Sequence, residues 1–261
     1  MVDEQDVHAQ DSTLGVLKVP AVTLLFWAIK IGITTLGETA GDAVSMTLEA
    51  GYALGSVIFA SFFAVTVYLQ MRSKTYRPEI YWLTMMATTT VGTTLADFAD
   101  RSLGVGYFGG SLILLSALLA SLFVWWWRVG TTSMDSVTSS KAELHYWITI
   151  MASQTLGTAL GDWLADTEGF GFVNAAVVFG GLIGLATILY FTTKVSRVLL
   201  FWVIFVLTRP LGAVLGDFLD KPIAQGGLAL GRIEASLVLL ALTVALIVVS
   251  ERRPRPAIPQ A

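Results

Sequence analysis

The chain has 261 residues, 55% of them apolar and 13% charged, with a net charge of −3. Soluble domains carry about 25% charged residues, so half that share, with apolar runs of about 20 residues recurring along the chain, predicts membrane spans, and so small a net charge gives no footing for nucleic acid. There is no cysteine and only two histidines, His8 and His145, which excludes disulfides and thiolate or imidazole metal sites and leaves oxygen ligands, suited to H⁺, Na⁺, Mg²⁺, Ca²⁺ or Mn²⁺.

In chain order, residues 1–18 form an acidic tail, with Asp3, Glu4, Asp6 and Asp11 against Lys18. A secretory signal needs a positive first segment, so this stretch is read as a disordered, solvated tail. Apolar helical spans are expected at 19–43, 51–71, 79–98 and 104–127, then at 144–164, 170–193, 197–218 and 227–250. The polar stretch 128–143 is read as a linker, so that 19–127 and 144–250 form two halves. A basic, proline-containing tail, 251–261, follows.

An aromatic–Trp pair opens every second span: Phe26-Trp27, Tyr81-Trp82, Tyr146-Trp147 and Phe201-Trp202. The steps between pairs are 55, 65 and 55 residues, and the ten extra residues of the middle step fall in the linker. Ten residues after each Trp stands Gly37, Gly92, Gly157 or Gly212; five further on, Asp42, Asp97, Asp162 or Asp217; nine beyond that, Gly51, Gly106, Gly171 or Gly226. These spacings predict an all-α integral membrane fold of eight transmembrane helices, built from four tandem two-helix repeats. Two spans per repeat give all four the same orientation, with the repeat axis along the membrane normal.

Lys and Arg crowd one side: Lys18, Arg72, Lys74, Arg77, Arg128, Lys141, Lys194, Arg197, Arg252, Arg253 and Arg255, against Arg101, Lys221 and Arg232 on the other. This bias places both termini in the cytoplasm, with the chain in a bacterial cytoplasmic (inner) membrane. The aromatic–Trp pairs then form a cytoplasmic-side belt. The motif aspartates lie 15 residues beyond each Trp, about 22 Å along the helix, near the outer ends.

Gly37/Gly41, Gly92/Ala96, Gly157/Gly161 and Gly212/Gly216 are small-xxx-small stripes that let helix backbones approach closely. Gly51/Gly55, Gly106/Gly110 and Gly171/Ala175 are read as packing positions in the same way. An Asp within a span costs on the order of 2.5–3.5 kcal/mol and should face protein or water. The bland alternative is a solvated helix end. Against it, helical spacing sets Glu38 and Thr35 on the Asp42 face, Thr93 and Thr90 on the Asp97 face, and Thr158 and Thr155 on the Asp162 face, a line of oxygen ligands. Repeat four departs, with Ala213 and Pro210. Further acids, Glu49, Asp100, Asp166, Glu168 and Asp220, are read as solvated residues of outer loops.

Three charges break the repeat. Lys30, one turn beyond Trp27, is expected to snorkel to the cytoplasmic interface. Arg209 lies too deep for that. Were the repeats to close into a ring rather than dock as halves, Arg209 would stand opposite Thr34, one turn from Glu38, and a buried Arg209–Glu38 ion pair would desymmetrise the core. Arg209, Glu38 and Lys30 are thus a candidate gating set. Pro210 should kink or break its helix and free carbonyls as ligands.

The four Gly-Asp units resemble a family of bacterial membrane proteins defined by a four-fold two-helix repeat with a Gly-Asp signature and of unknown function. The resemblance runs from about residue 20 to 250 and is carried by Gly41-Asp42, Gly161-Asp162 and Gly216-Asp217, with Ala96-Asp97 in repeat two. It implies the fold and no activity. Glu38-Thr39-Ala40-Gly41-Asp42 also resembles the Glu-x-Gly-Asp signature of manganese and calcium cation/proton exchangers, with a spacing different by one residue, an analogy in chemistry alone.

Intramembrane carboxylates, Thr stripes, parallel repeats and the lack of soft ligands point to a proton-coupled transporter or exporter of a small hard cation, Mn²⁺ or a similar divalent. Asp42, Glu38, Asp97, Asp162 and Asp217 are the expected substrate and proton set, with Thr35, Thr90 and Thr155 beside them and the four aspartates as metal ligands. The expected partners are the lipid bilayer and a small cation or proton, with no nucleic acid and no cofactor; homo-oligomerisation is left open. The alternative is a structural or regulatory membrane protein whose Gly-Asp motifs serve packing and assembly; a pore with an Asp ring is a third reading. No enzyme is expected, since no nucleophile–His pair, Walker loop or HExxH helix occurs.

Overall fold

The computed structural model describes residues 17–166 and 170–252; the acidic tail to residue 16, Glu168 and the basic tail from residue 253 lie outside the described residues. Eight long helices account for most of them: α1 (Leu24–Asp42), α2 (Gly51–Arg72), α3 (Pro78–Asp97), α4 (Tyr107–Val129), α5 (Ser140–Asp166), α6 (Gly171–Thr192), α7 (Arg197–Asp220) and α8 (Arg232–Glu251). Five of them, α2, α4, α6, α7 and α8, are long and apolar enough to cross a membrane, so this is an all-helical, multi-pass membrane protein. The other three miss that mark because of their polar residues: Lys30, Glu38 and Asp42 in α1, and rows of hydroxyls in α3 and α5.

Local chemistry sets the helix starts. The Thr23 hydroxyl accepts from Phe26 N at 3.3 Å, so α1 begins at 24 and not at 19. Pro78 takes the first position of α3, where its missing N–H is not needed. The segment expected as a linker holds a 3₁₀ turn, Met134–Ser136, and its last residues already belong to α5. α8 starts at 232 and not at 227, because a 3₁₀ turn (Ile223–Gln225) and an extended segment precede it.

α1, α3, α5 and α7 close into a ring, each touching the next and α7 returning to α1. The second helix of each repeat packs chiefly on the first helix of the following repeat: α2 on α3, α4 on α5, α6 on α7 and α8 on α1. The two-halves reading therefore gives way to one ring, in which residues 130–139 link α4 to α5 at one of four similar hand-overs.

Each motif glycine receives a side chain from the next ring helix. Gly37 faces Thr89, Gly92 faces Gln154, Gly157 faces Arg209 and Gly212 faces Thr34. These knobs all stand three residues before their own repeat's glycine, so one packing rule runs round the ring. A Cβ on Gly212 would meet the Thr34 carbonyl carbon at 2.9 Å. Gly157→Ala and Gly212→Ala are expected to destabilise by about 1–3 kcal/mol, read as a fall in the thermal unfolding midpoint in detergent. Gly181→Ala, with open space around it, should unfold like the parent.

Gly51, Gly106 and Gly171 have a different role from the packing first assigned to them, and Gly226 shares it. Gly51, Gly106, Gly171 and Gly226 have φ of 74°, 80°, 72° and 85°, and a Cβ on any of them would meet nothing within 4 Å. They reverse the chain after each ring helix, in a conformation that side chains disfavour.

Two further expectations change. The aromatic–Trp pairs do not form an interfacial belt. Phe26, Tyr81, Trp82, Tyr146, Trp147 and Trp202 are buried and fill one end of the ring with Trp125 of α4. Their rings meet largely edge-on or tilted, and the Tyr81 and Tyr146 hydroxyls bond to each other. The outward aromatics at that end include Phe123, Trp126 and Trp127 of α4, Tyr68 of α2, and Tyr190 and Phe191 of α6. α7 also runs through Pro210 unbroken. The carbonyls near the proline accept from α1, with Lys30 Nζ on Phe205 O at 3.1 Å and Thr34 Oγ1 on Thr208 O at 3.2 Å.

Candidate functional site

The ring interior is layered. Above the aromatic end lies Lys30, which is fully buried rather than snorkelling. Its Nζ donates to Thr208 Oγ1 at 2.6 Å and sits 3.9 Å from the Phe205 ring centroid. Phe205 is the repeat-four counterpart of Lys30, so the cation lies on the seam where the ring closes.

Arg209 occupies the next layer. Its stem packs on Gly157, and its Nη2 donates to Glu38 Oε2 at 2.9 Å, Thr93 Oγ1 at 2.6 Å and Thr158 Oγ1 at 2.5 Å. Glu38, Thr93 and Thr158 are one repeat position, just after the motif glycine; the fourth member, Ala213, is small. One guanidinium from repeat four thus gathers an oxygen from each of the other three repeats. Arg209 is 0% exposed and Glu38 2%. Arg209 Nε and Nη1 have no hydrogen-bond partner among the described residues.

The acidic end follows. Asp42, Asp97, Asp162 and Asp217 are 2%, 3%, 3% and 4% exposed, so none is a solvated helix end. α1 and α3 continue past their aspartates into single π-helical turns, Ala43–Thr47 and Phe98–Ser102; such turns are frequent at functional sites. Two basic residues clamp the aspartates in pairs. Arg101 lies 2.7 Å from Asp97 and 3.6 Å from Asp162. Lys221 lies 3.0 Å from Asp42 and 3.2 Å from Asp217. Both stand four residues after their own aspartate, in repeats two and four; the same position is Met46 in repeat one and Asp166 in repeat three. A two-fold pattern is thereby laid on the four-fold ring. Arg232 adds contacts of 3.2 Å to Asp220 and 3.6 Å to Asp42.

Burial by itself would favour the neutral Lys221 amine, but Asp217, Asp42 and Asp220 outweigh it and hold the ammonium above its usual range. Burial likewise opposes the Arg101 charge, and Asp97 and Asp162 overcome it. Asp100 is raised, chiefly by burial, against the pull of Arg101.

Two groups of three carboxylates have oxygens within 4.8 Å of one another: Glu38, Asp162 and Asp217, and Asp42, Asp217 and Asp220. Asp217 belongs to both and Asp97 to neither. Three buried carboxylate oxygens at such separations can hold a hard cation or share protons. Six buried carboxylates (Glu38, Asp42, Asp97, Asp162, Asp217 and Asp220) face five basic side chains, Lys30, Arg209, Arg101, Lys221 and Arg232.

The hydroxyls expected as ligands divide. Thr35, Thr90 and Thr155 donate to carbonyls of their own helices, at 2.9 Å to Ile31, 3.0 Å to Ala87 and 3.1 Å to Met151. Thr93 and Thr158, four residues before the aspartates, also donate within their own helices and in addition accept from Arg209; Thr35, Thr90 and Thr155 stand seven before and are buried too. Asp220, read as a loop acid, is buried. Arg101, Lys221 and Arg232, read only as counts in the charge bias, are the counter-ions. The sequence signal for Arg101 and Lys221 is Asp-Phe-x-Asp-(Arg/Lys), present at Asp97–Arg101 and Asp217–Lys221 and absent from repeats one and three.

A family model described as Repeat of Unknown Function (DUF347) matches residues 25–76, 80–131, 145–196 and 200–255. The chain belongs to this repeat family, with four tandem copies. No curated protein and no solved structure matches it.

Proposed function

We propose that this member of the repeat family is a transporter or exporter of a small hard cation, Mn²⁺ or a similar divalent, coupled to protons, in a bacterial cytoplasmic membrane. The observation that carries this reading is the buried group Glu38, Asp162 and Asp217, at the seam between repeats three and four that neither clamp bridges. Asp162 leans on Arg101, Asp217 on Lys221 and Glu38 on Arg209, each from a different direction, and the three carboxylates bring oxygens within 4.8 Å of one another. A divalent ion or protons neutralise the same oxygens, which couples the two without a separate site. Asp42 and Asp220 extend the path through the shared Asp217.

Within this reading all eight helices span the bilayer. α1, α3 and α5 cross because the polar residues that lower their hydropathy face the ring interior. Both termini lie in the cytoplasm, since the aromatic end carries most of the Lys and Arg. The chain has no cysteine, so Lys74→Cys and Leu103→Cys, both at exposed positions, can be labelled separately. Reagent confined to the outside of cells should modify the cysteine at 103 and spare that at 74; the reverse pattern inverts the topology.

The functional test is flux. Vesicles containing the protein should accumulate or release Mn²⁺ when a pH gradient is imposed, and Glu38→Gln and Asp162→Asn should abolish this while the protein stays folded by gel filtration. Absence of flux for Mn²⁺, Mg²⁺, Ca²⁺ and Na⁺ in the parent, or parental flux in both variants, would leave the assembly reading, which the tight glycine packing favours.

A further inference from the structure

We propose that Asp42, Asp217 and Asp220 form a second cation site whose built-in occupant is the Lys221 ammonium, and that a hard cation enters by displacing it. The proposal rests on the reading that this end of the ring handles such ions. The ammonium lies 3.0 Å from Asp42 Oδ2 and 3.2 Å from Asp217 Oδ1. The three carboxylates offer oxygens within 4.8 Å of one another, so an ion held by all three competes with the ammonium for two of its carboxylates. The Asp220 side chain is fully buried, and its Oδ1 has no hydrogen-bond partner among the described residues. Its Oδ2 lies 3.2 Å from Arg232 Nε, without the alignment of a hydrogen bond. The third ligand is thus in place with an oxygen to spare.

The position of Lys221 suits exchange. It is the first residue beyond α7, in extended conformation, and its side chain is 11% exposed. Its backbone stays fixed while the side chain swings, because Ala229 N donates to Lys221 O at 2.9 Å and the following segment returns against α7. The counterpart clamp differs in kind. Arg101 bridges Asp97 and Asp162 with a planar, delocalised guanidinium, and among the described residues no close group of three carboxylates contains both of its partners. An ammonium is a compact point charge on a flexible stem and so resembles a bare cation more closely than an arginine does. One clamp of the pair is fixed and the other exchangeable.

The test is Mn²⁺ binding to the purified full-length protein in detergent, read from the loss of the free-ion paramagnetic resonance signal, with thermal unfolding measured with and without the ion. In the parent, affinity is reduced by the fraction of molecules whose Lys221 occupies the site. Lys221→Gln should therefore bind Mn²⁺ tighter by on the order of tenfold or more and show a larger ion-dependent rise in unfolding temperature. Adding Asp220→Asn to that variant should remove the gain. Recovery of Lys221→Gln as folded protein only when Mn²⁺ is present also supports the proposal. It is overturned if folded Lys221→Gln gains neither affinity nor ion-dependent stability, if the gain survives Asp220→Asn, or if the variant fails to fold in Mn²⁺, Ca²⁺ and Na⁺ alike. No transport enters these measurements, so a parent that binds without moving ions sinks the transporter reading and spares this one.

Discussion

Arg209→Ala is expected to lower stability by about 3–5 kcal/mol, the usual cost of removing one partner of a buried pair, and to sharply reduce the yield of folded protein. Its single Nη2 holds Glu38, Thr93 and Thr158, and its stem fills the space at Gly157. The substitution strands the Glu38 carboxylate, leaves two hydroxyls short of a donor and opens a void on the ring axis. Glu38→Gln should cost less, because the amide oxygen still accepts from Nη2, although the guanidinium then lacks a counter-charge. Arg209→Met with Glu38→Gln removes both charges and restores volume, and buried pairs replaced in this way are often as stable as the parent. A double-mutant cycle of Arg209→Met, Glu38→Gln and their combination, by thermal unfolding in detergent, should therefore show a large favourable coupling. Additive losses in the two single variants would mean that Arg209 acts through packing at Gly157 alone.

Much of this was legible in the repeat. The spacing of Trp, Gly and Asp places like residues at like heights, so Arg209 could be set opposite Thr34 and near Glu38 once a ring was assumed. What the repeat cannot convey is which face of a helix looks inward. Lys30 has the length to reach an interface, yet one ring position decides that it meets Phe205 and Thr208. The aromatic–Trp pairs sit where a lipid belt would sit, but most of their rings turn inward and pack together with Trp125 at one end of the ring. Thr35, Thr90 and Thr155 lie one turn below the two hydroxyls that meet Arg209, and spacing alone does not say which turn the guanidinium reaches. The clamps were missed for a related reason. A basic residue four positions after an aspartate at a helix end reads as a local, solvated pair of small worth, and only ring closure brings a second aspartate within its reach. Asp220 was hidden in the same way, since three residues past a motif aspartate looks like a loop until α7 is seen to run to it.

Asp217→Asn is the substitution expected to remove cation handling most completely, because Asp217 alone belongs to both carboxylate groups. Even outer-shell partners of a metal are worth about 10–100-fold in affinity, so losing the shared ligand should weaken Mn²⁺ binding by about 100-fold or more and bring vesicle flux to background. The fold should survive. Asparagine is nearly isosteric, Lys221 keeps Asp42 at 3.0 Å, and removing one negative charge relieves repulsion with Glu38, Asp162, Asp42 and Asp220. Stability without added ion should thus hold or rise while affinity falls, a divergence that a purely architectural aspartate would not produce. Asp97→Asn is the control, since Asp97 is as deeply buried and carries the shortest Arg101 contact, 2.7 Å, but lies in neither group. It should lose stability and keep its cation affinity. If Asp97→Asn and Asp217→Asn instead behave alike in both measurements, the four aspartates serve the ring equally and the asymmetry at the seam between repeats three and four has no part in binding.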